Sequence, residues 1–124
     1  MAYSVSWEPG GIYRAFSGFV SGDDIIESNL KLYDDIRFIR ARYIINNFSE
    51  VSGHSIGAID LQAFASIDEM IAVDKQTFKI ALVVPQVEYF GLVKSLWELT
   101  KNDAFKYAQF RTVEDARKWV EIKG

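Results

Sequence analysis

The sequence predicts an α/β domain in which a mainly parallel sheet is covered by helices. Short β-branched and aromatic runs alternate with segments of helical periodicity, and capping residues precede several of the helical segments. The run from Ile80 to Val84 is continuously apolar, which is typical of a strand covered by helices on both faces. Strands that alternate with helices favour parallel pairing with right-handed crossovers. The predicted element order is β-β-α-β-α-β-α-β-α.

The chain begins with a predicted β-hairpin. Tyr3, Val5 and Trp7 alternate with polar residues, which is the period of a strand with one buried face. Pro9-Gly10-Gly11 permits a chain reversal before a second extended run over residues 12–20. The first strand is therefore expected to lie antiparallel to the second, at or near an edge of the sheet.

A helix and a third strand follow the hairpin. Ser21 is the predicted N-cap, with Asp24 in the reciprocal capping position. Residues 43–48 are β-branched and aromatic at their start, which predicts a strand. A loop rich in Ser and Gly is expected from Ser49 to Asp60. The predicted buried stripe of the helix consists of Ile26, Leu30 and Tyr33.

The second half of the chain predicts three further helices and two strands. Asp60 is the expected cap of the second helix, Pro85 is expected to begin the third, which runs to Thr100, and Thr112 caps the last. Residues 78–84 and 105–110 are the predicted strands, the first of them central in the sheet. The predicted inward residues are Leu61, Phe64, Ala65, Ile71 and Ala72, then Phe90, Val93 and Trp97, then Val113, Ala116 and Val120.

The composition describes one globular domain over residues 1–124. A chain of 124 residues, 49% hydrophobic and 25% charged, suits one core. A net charge of -3 gives no overall positive field, so nucleic-acid binding is not expected. Because no apolar run approaches the ~20 residues of a membrane span and no export signal is visible, we expect a cytoplasmic protein without stable membrane insertion.

Residue types that build metal and nucleophilic sites are scarce. The chain has no cysteine and one histidine, His54, so disulfides, thiolate metal sites and a cysteine nucleophile are excluded. The carboxylate pairs Asp23-Asp24 and Asp34-Asp35 are adjacent in sequence rather than spaced as a ligand set. Neither a metal nor a cofactor is expected.

Three stretches carry a resemblance to a known family: Trp7 to Gly18, with the letters WEPGGIYR and FSG, the strand at residues 43–48, and the closing FRTVEDARKW at residues 110–119. Together with the element order they resemble the SpoIIAA-like (STAS-like) family, related to anti-sigma factor antagonists. The resemblance implies a non-enzymatic regulatory domain, and a partner switch by phosphorylation of a Ser after the third strand. Ser55 falls at that position, in a loop with Ser52 and His54. His54 stands where antagonists usually carry Asp.

The letters Gly53-His54-Ser55-Ile56-Gly57 also match the G-x-S-x-G nucleophile elbow. An elbow needs a strand that enters a tight turn directly, and a downstream histidine as base. The single histidine lies inside the motif, and loop residues are expected to separate the motif from the strand. We therefore expect no catalytic residue, and an esterase is the third functional hypothesis.

The helix expected from Pro85 to Thr100 has more apolar surface than one inward stripe needs. Tyr89, Phe90, Val93 and Trp97 are candidates for an interface or a ligand surface. Close packing between neighbouring elements would explain the same residues.

Two main functional hypotheses follow. The first is a non-enzymatic regulatory or protein-interaction domain that uses the Ser49–Asp60 loop and a neighbouring helix face to bind a protein partner of unknown identity, with a homodimer as one version. The second is a binder of a small apolar or lipid-like ligand, since the fold resembles Sec14-type lipid-binding domains. A pocket between helices and sheet favours the ligand, and a flat apolar patch favours the interface.

Overall fold

The computed structural model describes residues 2–72, 77–100 and 104–122. The strands are β1 (Tyr3–Glu8), β2 (Gly11–Val20), β3 (Tyr43–His54), β4 (Phe78–Val83) and β5 (Phe105–Phe110). The helices are α1 (Gly22–Asp34), α2 (Ala58–Ala72), α3 (Phe90–Leu99) and α4 (Val113–Val120), with 3-10 segments at Ile36–Arg40 and Val87–Tyr89. The predicted element order is confirmed.

The five strands form one sheet in the order β1-β2-β3-β4-β5. β1 is the antiparallel edge strand, and all other neighbours pair in parallel, as predicted. Alternate residues of the inner strands serve the two faces: Ile44 and Ile80 pack into the core under α1, α2 and α3, whereas Ile45 and Ala81 pack with Ala116 of α4. Among the described residues, one face of the sheet therefore carries three α-helices and the other carries one.

β4 is fully buried along its length, which confirms that the apolar run is covered on both faces. Lys79, at the second position of this strand, is only 8% exposed. Its ammonium group donates to the carbonyl oxygens of Trp119 and Ile122, at the C-terminal end of α4, where unpaired carbonyls and the helix dipole favour a cation. The buried lysine thus anchors α4 to the sheet.

Local signals at the turn and at α1 are confirmed. Gly10 has a φ of +80° in the hairpin turn, a conformation that favours glycine. Gly11 already lies in β2, and a Cβ atom there would meet the ring of Tyr43, so its missing side chain makes room for that ring. Ser21 and Asp24 form the predicted reciprocal capping box.

The expected loop from Ser49 to Asp60 is wrong over its first half. β3 continues to His54, because the ten-residue β2 supplies a pairing edge as far as Val20. The pairing includes register shifts between Ala15 and Ser17 and between Gly18 and Phe19, a bulged geometry that Gly18 accommodates with a φ of +68°. The connection between β3 and α2 is therefore residues 55–57.

Two predicted helix starts are also corrected. α2 begins at Ala58, so Asp60 lies in the first turn rather than at the cap, and its Oδ2 accepts a hydrogen bond from the Gly57 N–H. α3 begins at Phe90 rather than at Pro85. The intervening segment is held to β3 by Gln86, whose side-chain amide donates to backbone carbonyls of that strand.

The predicted stripe of α1 is partly confirmed, since Ile26 and Tyr33 pack against the core, and it is wrong at Leu30. Leu30 is 49% exposed and Ile26 is only half-buried. The inward face is shifted by one residue and is partly polar, and its buried side chains are Ile25, Ser28, Asn29 and Leu32. Ser28 and Asn29 are buried because both accept hydrogen bonds from Arg14.

Candidate functional site

A cavity of about 110 Å³ lies between the sheet and the three helices α1, α2 and α3. Its wall is mainly apolar, with side chains from β2, β3, β4 and all three helices. Residues that line it include Val20, Ile44, Leu61, Phe64, Leu82 and Val93. In this measure one water molecule needs about 10–15 Å³. The cavity thus has room for several waters or one small organic molecule.

Arg14 of β2 lines this cavity although it is only 3% exposed. Its Nε donates to Asn46 Oδ1 at 2.8 Å, and its Nη1 donates to Ser28 Oγ and Asn29 Oδ1, both at 2.7 Å. Nη2 has no hydrogen-bond partner among the described residues. Burial lowers the pKa of Arg14 to about 10, which leaves the guanidinium charged at neutral pH.

Asp68 of α2 is the second buried charged group on the cavity wall, at 6% exposure. Its two oxygens each accept one tyrosine hydroxyl, Oδ1 from Tyr33 and Oδ2 from Tyr107, both at 2.9 Å. Burial raises the pKa of Asp68, and burial also raises the pKa of both tyrosines. The hydroxyls therefore stay protonated and donate.

The two charged groups attract each other electrostatically, yet no direct ion pair joins them within the described part of the chain. Each is held by neutral polar side chains instead. We call these residues the polar network: Arg14, Ser28, Asn29, Tyr33, Asn46, Asp68 and Tyr107. A charged group that is buried without an ion-pair partner is costly, so the network marks this cavity as a functional candidate.

Sequence analysis did not single out Arg14 and Asp68, although a signal was present. Arg14 lies between Ile12 and Phe16 on the inward face of β2, and Asp68 lies four residues before Ala72 on the inward face of α2. Each charged residue stands where the apolar period expects an apolar one. On α1, Ser28 and Asn29 turn inward because Arg14 needs acceptors, which explains the shifted stripe.

The predicted loop residues separate into two environments. Ser52 and Ser55 are exposed and do not line the cavity, whereas His54 is half-buried and does. His54 Nδ1 accepts a hydrogen bond from the Ile56 N–H at 3.0 Å, and its ring meets Tyr89 edge-on. His54 is thus part of the cavity wall.

The Gly53-to-Gly57 motif is entered directly by β3, contrary to the expected intervening loop. Its Ser55 is nevertheless not a strained elbow residue, since every non-glycine residue described has negative φ. No hydrogen bond joins His54 and Ser55 among the described residues, and His54 Nδ1 is occupied by a backbone donor. Within the described part of the chain, no side chain is hydrogen-bonded to the Ser55 hydroxyl as an activating base would be.

The four residues singled out on the third predicted helix all face inward. Tyr89 and Val93 line the cavity, whereas Phe90 and Trp97 pack against the core. No flat exposed patch is formed by these four residues, since each is buried or half-buried. The structure therefore places them as packing and cavity residues, and an interface role for them remains a prediction.

The described residues contain neither a cluster of metal-binding side chains nor a helix suited to cross a bilayer. No group of three or more His, Asp or Glu side chains is arranged to hold a metal ion in the described part of the chain. Among the helices described, none combines the length and apolarity of a bilayer span.

Comparison with known proteins bears on the fold. No family model matches the chain, and no curated protein matches it. Among solved structures, the anti-sigma factor antagonist SpoIIAA in its unphosphorylated form aligns with a TM-score of 0.60 at 16% identity, over 96% of this chain and 97% of that one. The fold is SpoIIAA-like.

A second structure agrees. An uncharacterised protein from the DUF3478 family of Shewanella loihica PV-4, with a SpoIIAA-like fold, aligns with a TM-score of 0.57 at 14% identity, over 96% of this chain and 94% of that one. The predicted resemblance is confirmed for the SpoIIAA-like fold. At these identities the likeness concerns the fold, and function has to be argued from the site.

Proposed function

We propose that this domain binds a small molecule, with an apolar body and a polar end, in the cavity between the sheet and helices α1 to α3. The observation that carries the proposal is a largely apolar cavity of about 110 Å³ with a buried charged arginine in its wall. Small-molecule sites are typically concave and apolar with a few convergent polar groups. The pocket supports the ligand hypothesis over a flat interface.

The size of the cavity limits the ligand. Apolar cavities of about 150 Å³ in protein cores bind molecules of the size of benzene, so a cavity of about 110 Å³ suits a small ring or a short chain. His54 and Tyr89, both half-buried, line it near the ends of β3 and of the second 3-10 segment. We propose a binding role without catalysis, because Ser55 lacks a base.

Neutral apolar probes test this function. Benzene, cyclopentanol and butan-1-ol should each raise the melting temperature measured by circular dichroism. At a free concentration ten times Kd the gain is about 1.4 kcal/mol, or about 5 °C for a domain of this size. Leu92→Trp, which places a larger side chain on the cavity wall, should abolish the gain.

Leu99→Trp is the matched control for that test. Leu99 lies on the same helix and packs against the core without lining the cavity. This variant should respond to the probes as the wild type does. Equal responses from Leu92→Trp and Leu99→Trp would show that the probes bind elsewhere, and no response from the wild type would refute the proposed function.

A regulatory protein-interaction role is the second candidate, and the exposed position of Ser55 supports it. Ser55 follows β3 directly and precedes α2, in a fold shared with an anti-sigma factor antagonist. On this proposal, a negative charge at Ser55 changes which proteins bind. Self-association would be a version of the same role.

Affinity purification from the native host tests the switch. We expect Ser55→Asp to alter the set of bound proteins relative to wild type and Ser55→Ala, because a carboxylate mimics part of the charge of a phosphate. Ser52→Asp is the control, since Ser52 is also exposed but lies within β3. Sedimentation of the same samples measures self-association. Identical bound proteins for wild type, Ser55→Ala and Ser55→Asp would remove the switch hypothesis.

A further inference from the structure

We propose that the ligand of this cavity is a small monocarboxylate that accepts a hydrogen bond from Nη2 of Arg14 while its apolar body fills the cavity. This inference rests on the proposed function and names the chemical class of its ligand.

Nη2 of Arg14 is an open hydrogen-bond donor. The polar network occupies Nε and Nη1 of Arg14 with three acceptors, and leaves Nη2 without a partner among the described residues. A guanidinium has five N–H donors and no acceptor, so the vacant hydrogen-bond positions are donors. Because Arg14 is only 3% exposed, bulk water solvates this group less than it would a surface arginine. A ligand that supplies an acceptor would satisfy this donor.

Asp68, in contrast, does not require a cationic ligand. Both of its oxygens already accept a tyrosine hydroxyl. A buried carboxyl can also neutralise itself by taking up a proton, whereas an arginine stays charged. Of the two charged groups, Arg14 is therefore the one that still offers a hydrogen-bond position to a ligand.

The cavity favours an acceptor with one negative charge. One guanidinium nitrogen is open, and the wall beyond the polar network is largely apolar. A phosphate dianion would bury a second charge against apolar side chains, which costs free energy. A carboxylate oxygen accepts a charge-assisted hydrogen bond from a single guanidinium nitrogen. An apolar acid of limited length satisfies the donor and the wall together.

Matched ligands that differ only in the head group test the inference. Butanoate, butan-1-ol and butylamine share one chain, and cyclopropanecarboxylate with cyclopropylmethanol gives a second pair. At pH 7 we expect calorimetry to show the carboxylate binding about tenfold or more tighter than the alcohol, as a charge-assisted hydrogen bond allows. The amine should bind most weakly. These comparisons use the wild-type protein and do not depend on a variant that folds.

Two variants locate the effect. Arg14→Met should reduce carboxylate affinity at least tenfold and leave alcohol affinity nearly unchanged, with folding checked by circular dichroism. Asp68→Asn should strengthen carboxylate binding, because it removes a like charge from the cavity wall while an amide oxygen remains to accept one tyrosine hydroxyl. Arg40→Met, at an exposed arginine of the first 3-10 segment, should change neither affinity.

The outcomes separate this inference from the proposed function. If alcohol and carboxylate bind the wild type equally, or if Asp68→Asn weakens carboxylate binding, the ligand class is wrong while the cavity remains a binding site. If butanoate binds equally to wild type and to Leu92→Trp, it binds outside the cavity and the inference is overturned. If none of the ligands binds, the proposed function and the inference both fall.

Discussion

Replacing Arg14 with methionine is expected to lower the free energy of unfolding by about 3–5 kcal/mol. The substitution leaves the acceptor atoms of Asn46, Ser28 and Asn29 without their donor. It also removes the positive charge that attracts Asp68. Urea unfolding at 25 °C, followed by circular dichroism, measures the change.

Arg40→Met is the control for Arg14→Met, because Arg40 is exposed. Its effect should remain within about 0.5 kcal/mol, as for most surface substitutions. A loss for Arg14→Met as small as that for Arg40→Met would mean that the buried guanidinium contributes no net stability. In that case the polar network would not stabilise the fold.

Replacing Asp68 with leucine is expected to lower the free energy of unfolding by about 3 kcal/mol. Leucine leaves the hydroxyls of Tyr33 and Tyr107 without their acceptor and leaves the Arg14 charge without a nearby anion. The double variant with Arg14→Met should lose less than the sum of the two single losses, because both charges are then absent. Strict additivity would show that the two groups do not interact.

The same aspartate predicts a pH dependence with a definite sign. Burial raises the pKa of Asp68 above its usual value of 3.8, so the folded state keeps a proton that the unfolded chain releases. The stability contribution of Asp68 therefore decreases as pH rises from about 3.8 through the raised pKa, by at most about 1.4 kcal/mol per pH unit. The difference in unfolding free energy between wild type and Asp68→Asn should fall over that window.

Glu69→Gln controls for loss of a carboxylate next to Asp68, since Glu69 is exposed. Urea titrations of the three proteins from pH 3 to pH 8 provide the comparison. A difference between wild type and Asp68→Asn that rises with pH would contradict the assigned direction of the pKa. A flat difference would show that Asp68 titrates alike in folded and unfolded chains.

Local signals predicted most elements because the forces behind them act over a few residues. The Ser21 box, the turn at Gly10 and the continuous burial of β4 are each specified by neighbours along the chain. The element order then selected the parallel sheet, since short connections and helical crossovers leave few other arrangements. The SpoIIAA-like resemblance pointed to the same fold.

Local signals were less able to place the ends of elements. The Ser and Gly residues after Phe48 favour a loop on propensity, yet the paired edge of β2 extends β3 to His54. The corrected start of α3 has a similar origin, because Gln86 is tied to β3 by contacts remote in sequence. Tertiary pairing overrode propensity at both places.

The sequence by itself determined the order of strands and helices, the antiparallel first strand and the double covering of β4. These features follow from periodicity and capping, which depend on residues that are close together in the chain. Only the tertiary structure decided that Arg14 and Asp68 share one cavity, that Ser28 and Asn29 turn inward, and that His54 belongs to its wall. Arg14 and Asp68 are 54 positions apart in the sequence. A polar residue on an apolar stripe does not indicate which distant residue it will lie near. Arg14 and Asp68 come to share one cavity wall only when the sheet and the helices pack together.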